Sequence, residues 1–239
     1  MQRVQPNRAK EQCDQSDGGQ LKVTLRRLPN VQSIEHVDDA RFSFFTKQLW
    51  DKLYEDNPGY TILFVPSYLD FVRLRTFLKN RNAQVAFISE YSEKKDCQRA
   101  RHHYETKEKP VLMVTERAII FDKIKLRYAR NVVMYGLPES PDTFTDVLCE
   151  VTGEKNWDAI MKVRINLLKN QGKDKTEDAI VKETQSLLRE RKTASMSKSV
   201  VGLFSKFDSL QLERIVGTAQ YRKMITTEAK DSFTVAALK

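Results

Sequence analysis

The chain has 239 residues, 40% hydrophobic and 31% charged, enough to bury the core of one decorated α/β domain or of two small ones. No run of about 18 apolar residues occurs, which excludes a spanning helix, and the first residues, MQRVQPNRAK, hold no apolar signal core. Lys and Arg number 41 against 32 Asp and Glu, a formal charge of +9, which suits a polyanionic partner, nucleic acid first, and equally suits a solvated basic surface.

Residues 1–37 are polar and contain Pro6, Gly18, Gly19 and Pro29, the composition of an extended arm with a short strand at Leu21–Leu25. Its Lys and Arg side chains would lie on RNA or a protein partner, or the arm would be a free tail. Asp38 or Asp39 can cap the next helix. There Phe42, Phe45, Leu49 and Leu53 recur at helical spacing and read as core packing. Asn57-Pro58-Gly59 ends it.

Four short apolar runs follow: Thr61–Val65, Val85–Ile88, Val111–Thr115 and Val132–Tyr135. They do not alternate and are rich in Val and Ile, the pattern of parallel strands covered on both faces. The segments between them are long enough for crossover helices. After Pro66, Ser67 is placed to cap a helix carrying Tyr68, Phe71, Leu74, Phe77 and Leu78, with Arg73, Arg75, Lys79 and Arg81 on its other faces. A charged helix spans about Ser92–Glu105 and includes Gln98, Arg99 and Arg101. A short amphipathic piece covers Ala118–Lys125, and Pro141 opens a helix running through Val151. From Gly153 to Ser199 two amphipathic helices, Asn156–Asn170 and Lys175–Arg191, read as an inserted hairpin. Val200–Phe204 is a fifth strand. Leu210–Val216 is a helix stopped by Gly217, Ala219–Ile225 another, and Phe233–Val235 a last edge strand. The expected organisation is an arm over 1–37, a lobe over 38–152 and 200–239, and an insertion over 153–199.

Several chemistries are missing. There is no G-x-x-x-x-G-K, no G-x-G-x-x-G and no G-x-S-x-G, and only eight glycines in all. His102 and His103 are neighbours, so on a helix they diverge by about 100° and make no ligand pair. Cys13, Cys97 and Cys149 are far apart and form no C-x-x-C, which fits a reducing compartment, nucleus or cytosol.

The order of elements resembles the second RecA-like lobe of superfamily 2 RNA helicases. Gln98-x-x-Arg101 and the strand Val111–Thr115 match segments that touch RNA phosphates in those proteins. Met134-Tyr135-Gly136-Leu137-Pro138 is similar to their N-Y-D-L-P. The resemblance then breaks. The arginine-finger motif H-R-I-G-R-T-G-R falls on DVLCEVTG, residues 146–153, so its arginines land on Val147, Glu150 and Gly153. Arginine fingers stabilise charge on the transferred phosphoryl group, which Glu repels. The Gly of the T-D-x-A-A-R-G segment is replaced by Phe121.

A second resemblance is more specific. ARFSFFTKQL, FVPSYLDFVRLRTFLK, ISEY…RARHHY, TERAIIFDK, NVVMYGLPESPDTF and LFSKFDSLQLERIVG are similar to the digestive organ expansion factor family, a U3 snoRNA-associated, helicase-like component of the small-subunit processome. It covers about 30–152 and 200–225. The resemblance implies an α/β, RecA-like parallel sheet flanked by helices, of the helicase C-terminal-lobe type. It also implies a nucleolar, non-catalytic scaffold that binds pre-rRNA or U3 snoRNA and processome proteins. No cofactor and no membrane partner are expected. The family carries a further lobe upstream, so the chain is expected to be either a fragment or a reduced form. By position, the resemblance transfers RNA contact to Ser67, Arg101 and Thr115; charge and placement add Arg73, Arg99 and Arg117. Such contacts would go to phosphate and carry no sequence information. Two other readings stay open: the motor lobe of an ATP-dependent helicase completed by another chain, and a protein-interaction adaptor without RNA.

Overall fold

The apolar runs that do not alternate become four adjacent strands at one end of a seven-stranded sheet. In this computed structural model, residues 21–29, 31–51, 60–122, 124, 129–152, 198–227 and 231–235 are described. The strands are β1 (Leu21–Arg27), β2 (Thr61–Val65), β3 (Val85–Ile88), β4 (Val111–Thr115), β5 (Asn131–Met134), β6 (Lys198–Phe204) and β7 (Ser232–Val235). Their order across the sheet is β3-β4-β2-β5-β6-β1-β7. All neighbours are parallel except β7, which runs antiparallel to β1.

Helices cover both faces of the sheet around β2, β4 and β5, and alternate strand residues divide between two cores. On one face Ile62, Phe64, Leu112, Val114, Val132 and Met134 pack with Tyr104 and Ala118. These belong to α3 (Lys94–Glu105) and α4 (Glu116–Phe121). Phe144, Val147 and Leu148 of a further helix, α5 (Pro141–Thr152), join them. On the other face Leu63, Val65, Met113, Val133 and Tyr135 meet α1 (Val37–Phe44), the turn of π-helix that prolongs it (Phe45–Leu49), and α2 (Tyr68–Asn80). Double coverage is why β2 and β4 are buried at every position and carry no alternation.

β1 obeys the other rule. Val23 and Leu25 are buried while Lys22 is exposed and Thr24 and Arg26 half-buried, the period of a strand covered on one face. Leu25 packs with Leu212 and Met224. These come from α6 (Ser209–Val216) and α7 (Thr218–Thr226). This corrects the expected arm: from Leu21 onward the chain is an interior strand, held by seven register pairs from Leu21↔Lys198 to Arg27↔Phe204. Local composition hid it, because half of the strand is polar and its partner lies about 175 residues away.

Other boundaries shift for local reasons. Ser33, not Asp38 or Asp39, supplies the cap: its hydroxyl accepts from the Glu35 N–H at 3.4 Å over a 3₁₀ turn leading into α1. The two aspartates lie in the first turn of α1, where they complement the helix dipole. Ser67 occupies the N-cap position of α2, but its hydroxyl makes no capping bond. Gly217, at φ +81, separates α6 from α7, a backbone conformation that favours glycine. Leu53, Asn57-Pro58-Gly59 and the expected hairpin over 153–197 lie outside the described residues.

Candidate nucleic-acid interface

Because six strands are parallel, the ends of β2, β3, β4, β5 and β6 emerge along one edge, where ligands bind in open α/β sheets. Pro66-Ser67, Ser89-Glu90-Tyr91, Thr115-Glu116-Arg117, Tyr135–Glu139 and Ser205–Asp208 meet there. Thr115 is 1% exposed. Its hydroxyl donates to Glu90 Oε2 at 2.7 Å and accepts from the Ala118 N–H at 3.3 Å, so it caps α4. Glu116 is buried and its Oε1 accepts from the Glu139 N–H at 3.2 Å. Burial pushes its carboxyl up to about 7, against the lowering effect of the Glu139 N–H bond and with a further push from the Glu139 charge. Arg117 is exposed on the first turn of α4.

Beside them stands a partly buried ion pair. Arg41 reaches from α1 and donates to both carboxylate oxygens of Asp208, at 3.1 and 2.9 Å. Asp208 Oδ2 also accepts from the backbone N–H and hydroxyl of Ser205, at 2.7 and 2.9 Å. The Arg41 guanidinium lies 5.9 Å from the Tyr135 ring centroid. Burial holds the Tyr135 phenol well above its ordinary range, and its hydroxyl has no hydrogen-bond partner among the described residues. Burial first, and then the Asp38 charge, raises the Asp70 carboxyl as well. Gly136 stands where the similar helicase motif has Asp. A Cβ here would lie 3.1 Å from Pro66 Cγ, so its absence lets the ends of β2 and β5 close together.

The structure therefore divides the six expected contact residues. Ser67, Thr115 and Arg117 share the carboxyl edge. Arg99 and Arg101 sit on α3; Arg99 is exposed and paired with Asp96 at 3.3 Å, and Arg101 is half-buried with its Nε atom buried and unpartnered among the described residues. Arg73 turns toward α1, where it pairs with Asp39 at 2.7 Å and stacks 4.1 Å over the Phe42 ring. What residue-by-residue reading missed is the carboxylates. Glu90, Glu116, Glu139 and Asp208 all lie on this edge, and only tertiary contacts assemble them. Exposed apolar groups accompany them: Leu69 is 81% and Tyr91 68% exposed, with Tyr91 edge-on to Tyr68 at 4.6 Å between ring centroids.

Val147, at a position where the helicase motif has Arg, is 1% exposed and packs in the core with Phe144 and Met134. Phe121, at the position of the helicase Gly, is 72% exposed. Among the described residues no three His, Cys, Asp or Glu side chains gather as a metal site, and no helix is long and apolar enough to cross a membrane.

Sheet order, two-sided helical cover and the crowded carboxyl edge define the RecA-like C-terminal lobe of helicases. A solved structure of the C-terminal domain of the DEAD-box protein Dbp5 shares this fold with TM-score 0.51 at 13% identity, over 88% of this chain and 87% of that one. The chain belongs to the Utp25 C-terminal domain family, whose model matches residues 16–170. It is similar to U3 small nucleolar RNA-associated protein 25 of Neurospora crassa, 35% identical over 224 residues, covering 90% of this chain and 25% of that protein. It is also similar to Protein NUCLEOLAR FACTOR 1 of Arabidopsis thaliana, 31% identical over 199 residues, covering 83% of this chain and 21% of that protein. The chain thus spans about a quarter of the length of these curated relatives.

Proposed function

We propose that this chain is a non-catalytic, helicase-like scaffold of the small-subunit processome, acting in the nucleolus in pre-rRNA processing and 18S rRNA maturation. Family membership supports the setting, since relatives are named for association with U3 small nucleolar RNA. The proposed absence of catalysis is carried by one observation: Val147 fills the hydrophobic core at one of the three arginine positions of the helicase arginine-finger motif. RNA contact rests on Ser67 and Arg117 at the carboxyl edge and on Arg99 and Arg101 of α3, with phosphate as the target. Thr115 and Arg73 serve as positioning residues, since both side chains are engaged within the fold.

In-cell RNA–protein crosslinking with sequencing of the attached RNA tests this reading. Adducts of pre-rRNA or U3 snoRNA on peptides containing Arg101 or Arg117 are expected. ATP turnover that disappears in Arg101→Ala would instead restore the motor-lobe reading. A second reading, a protein adaptor without RNA, is favoured by the carboxylates of the carboxyl edge, which repel phosphate. Crosslinking that yields no RNA adduct on any peptide would decide for it.

A further inference from the structure

β3 is one of the two edge strands of the sheet, with β4 on one side and no strand on the other among the described residues. In a strand paired on one side only, alternate residues turn both N–H and C=O outward. At β3 that outward line is the floor of a groove of about 570 Å³. The wall from α2 carries Arg75 and Lys79. The wall from α3 carries Arg99 and His103, and Lys109 closes one end. The one acid in the lining is Asp96, already paired with Arg99. His103 is paired with Glu108, while Arg75, Lys79 and Lys109 have no carboxylate partner among the described residues. Phe87, half-buried on the strand with the Arg75 guanidinium 5.8 Å from its ring, gives the floor an apolar centre.

We propose that this groove is a docking site for an acidic, extended segment of a partner protein, added to the sheet as a strand beside β3. Main-chain hydrogen bonds to outward groups not already engaged (the Val85 N–H donates to the Ala83 carbonyl at 2.9 Å) would supply affinity and the lining cations would supply selectivity. Charge alone can guard an edge against unwanted pairing, but a guard needs no concavity, and here the cations form the two sides of one. Side chains of an added strand point alternately to the two walls. One wall carries Arg75 and Lys79 and the other Arg99, with Lys109 at the end, so the groove selects a run of adjacent acids over an alternating pattern. β3 is short, and at about 3.3 Å per residue the paired stretch is about four or five residues. The two long segments of the chain outside the described residues do not complement the site. Residues 1–20 carry three Lys/Arg and three Asp/Glu, and residues 153–197 carry ten and seven. Neither of these two segments is an acidic run, and the proposed occupant is a partner protein's segment.

This inference concerns a surface other than the carboxyl edge, with Arg99 the one residue shared with the RNA reading. The test uses the whole chain and a short fluorescein-labelled peptide of Glu and Val with adjacent acids, followed by fluorescence anisotropy. Binding is expected, about tenfold or more weaker in the double variant K79E/K109E, whose fold is checked by circular dichroism. N-methylation of alternate peptide amides should abolish binding. Hydrogen exchange at Val85–Ile88 should slow on adding the peptide. RNA crosslinks at Arg117 should survive K79E/K109E, which separates failure here from failure of the RNA reading. The proposal is overturned if the peptide does not bind or if N-methylation leaves its binding unchanged. It is equally overturned if oligouridylate binds the groove as well as the peptide without slowing exchange at β3.

Discussion

The carboxyl edge of the sheet and the open edge at β3 lie in one lobe, yet they are built from opposite charge and opposite degrees of closure. At the carboxyl edge Thr115 bonds Glu90, Glu116 bonds the Glu139 N–H, and Asp208 is held by Arg41 and Ser205. Its polar groups mostly face one another. At β3 the cations Arg75, Lys79 and Lys109 line open space. Among the described residues, carboxylates thus crowd the carboxyl edge while a line of cations stands at β3. The edge has the strand geometry of a ligand edge in an open α/β sheet, while its side chains bond one another and hold that edge together.

The sharpest way to break this contrast is Arg41→Ala. If the carboxyl edge is a closed structural network, leaving the half-buried Asp208 without its partner should cost about 3 kcal/mol in chemical denaturation. A loss near zero would mean the pair is not structural. Thr115→Val should cost about 1 kcal/mol, because it removes a cap and leaves Glu90 without its donor. Thr115→Ser should restore most of that. A Thr115→Val protein as stable as the parent would return Thr115 to the list of direct RNA contacts.

Glu116 gives a pH-dependent version of the same test. Folding raises its carboxyl from an ordinary 4.5 to about 7, so between those values the native state holds a proton that the unfolded chain releases. Its contribution to stability is therefore highest below about pH 4.5 and declines as pH rises toward and through 7. Glu116→Gln keeps the oxygen that accepts the Glu139 N–H and removes the charge. Its melting temperature should exceed the parent's above pH 7, with the difference shrinking toward pH 5. Identical pH profiles would mean that Glu116 is effectively solvated. The smallest effect is expected at the other edge: Lys79→Ala, at an exposed position, should change stability by no more than about 0.5 kcal/mol. A larger loss would show that the groove cations hold the fold rather than await a ligand.

Much of the architecture was legible because its signals are local. Val111–Thr115 and Thr61–Val65 could be read as buried parallel strands from composition alone, and Pro141 and Gly217 marked helix ends through their own backbone chemistry. β1 was not legible as part of the sheet. LKVTLRR alternates, sits after a polar arm, and acquires meaning only when β6 arrives beside it. The cap at Ser33 was missed because two aspartates nearby offered an equally good local pattern. At the candidate site, Thr115 and the lost arginine at Val147 could be found by motif. The carboxylates Glu90, Glu116 and Asp208 could not, since no spacing in the chain links them.

The order of strands and helices, the parallel sheet, the family resemblance and the missing arginine finger were thus determined by the sequence itself, because each depends on residues close together in the chain or on a motif at fixed spacing. Tertiary structure decided which strand ends the sheet, which side chains crowd its carboxyl edge, and where the surplus cations stand. Those outcomes depend on pairings between segments far apart in the chain, such as Arg41 with Asp208 and β1 with β6, and local propensity carries no information about such distant partners.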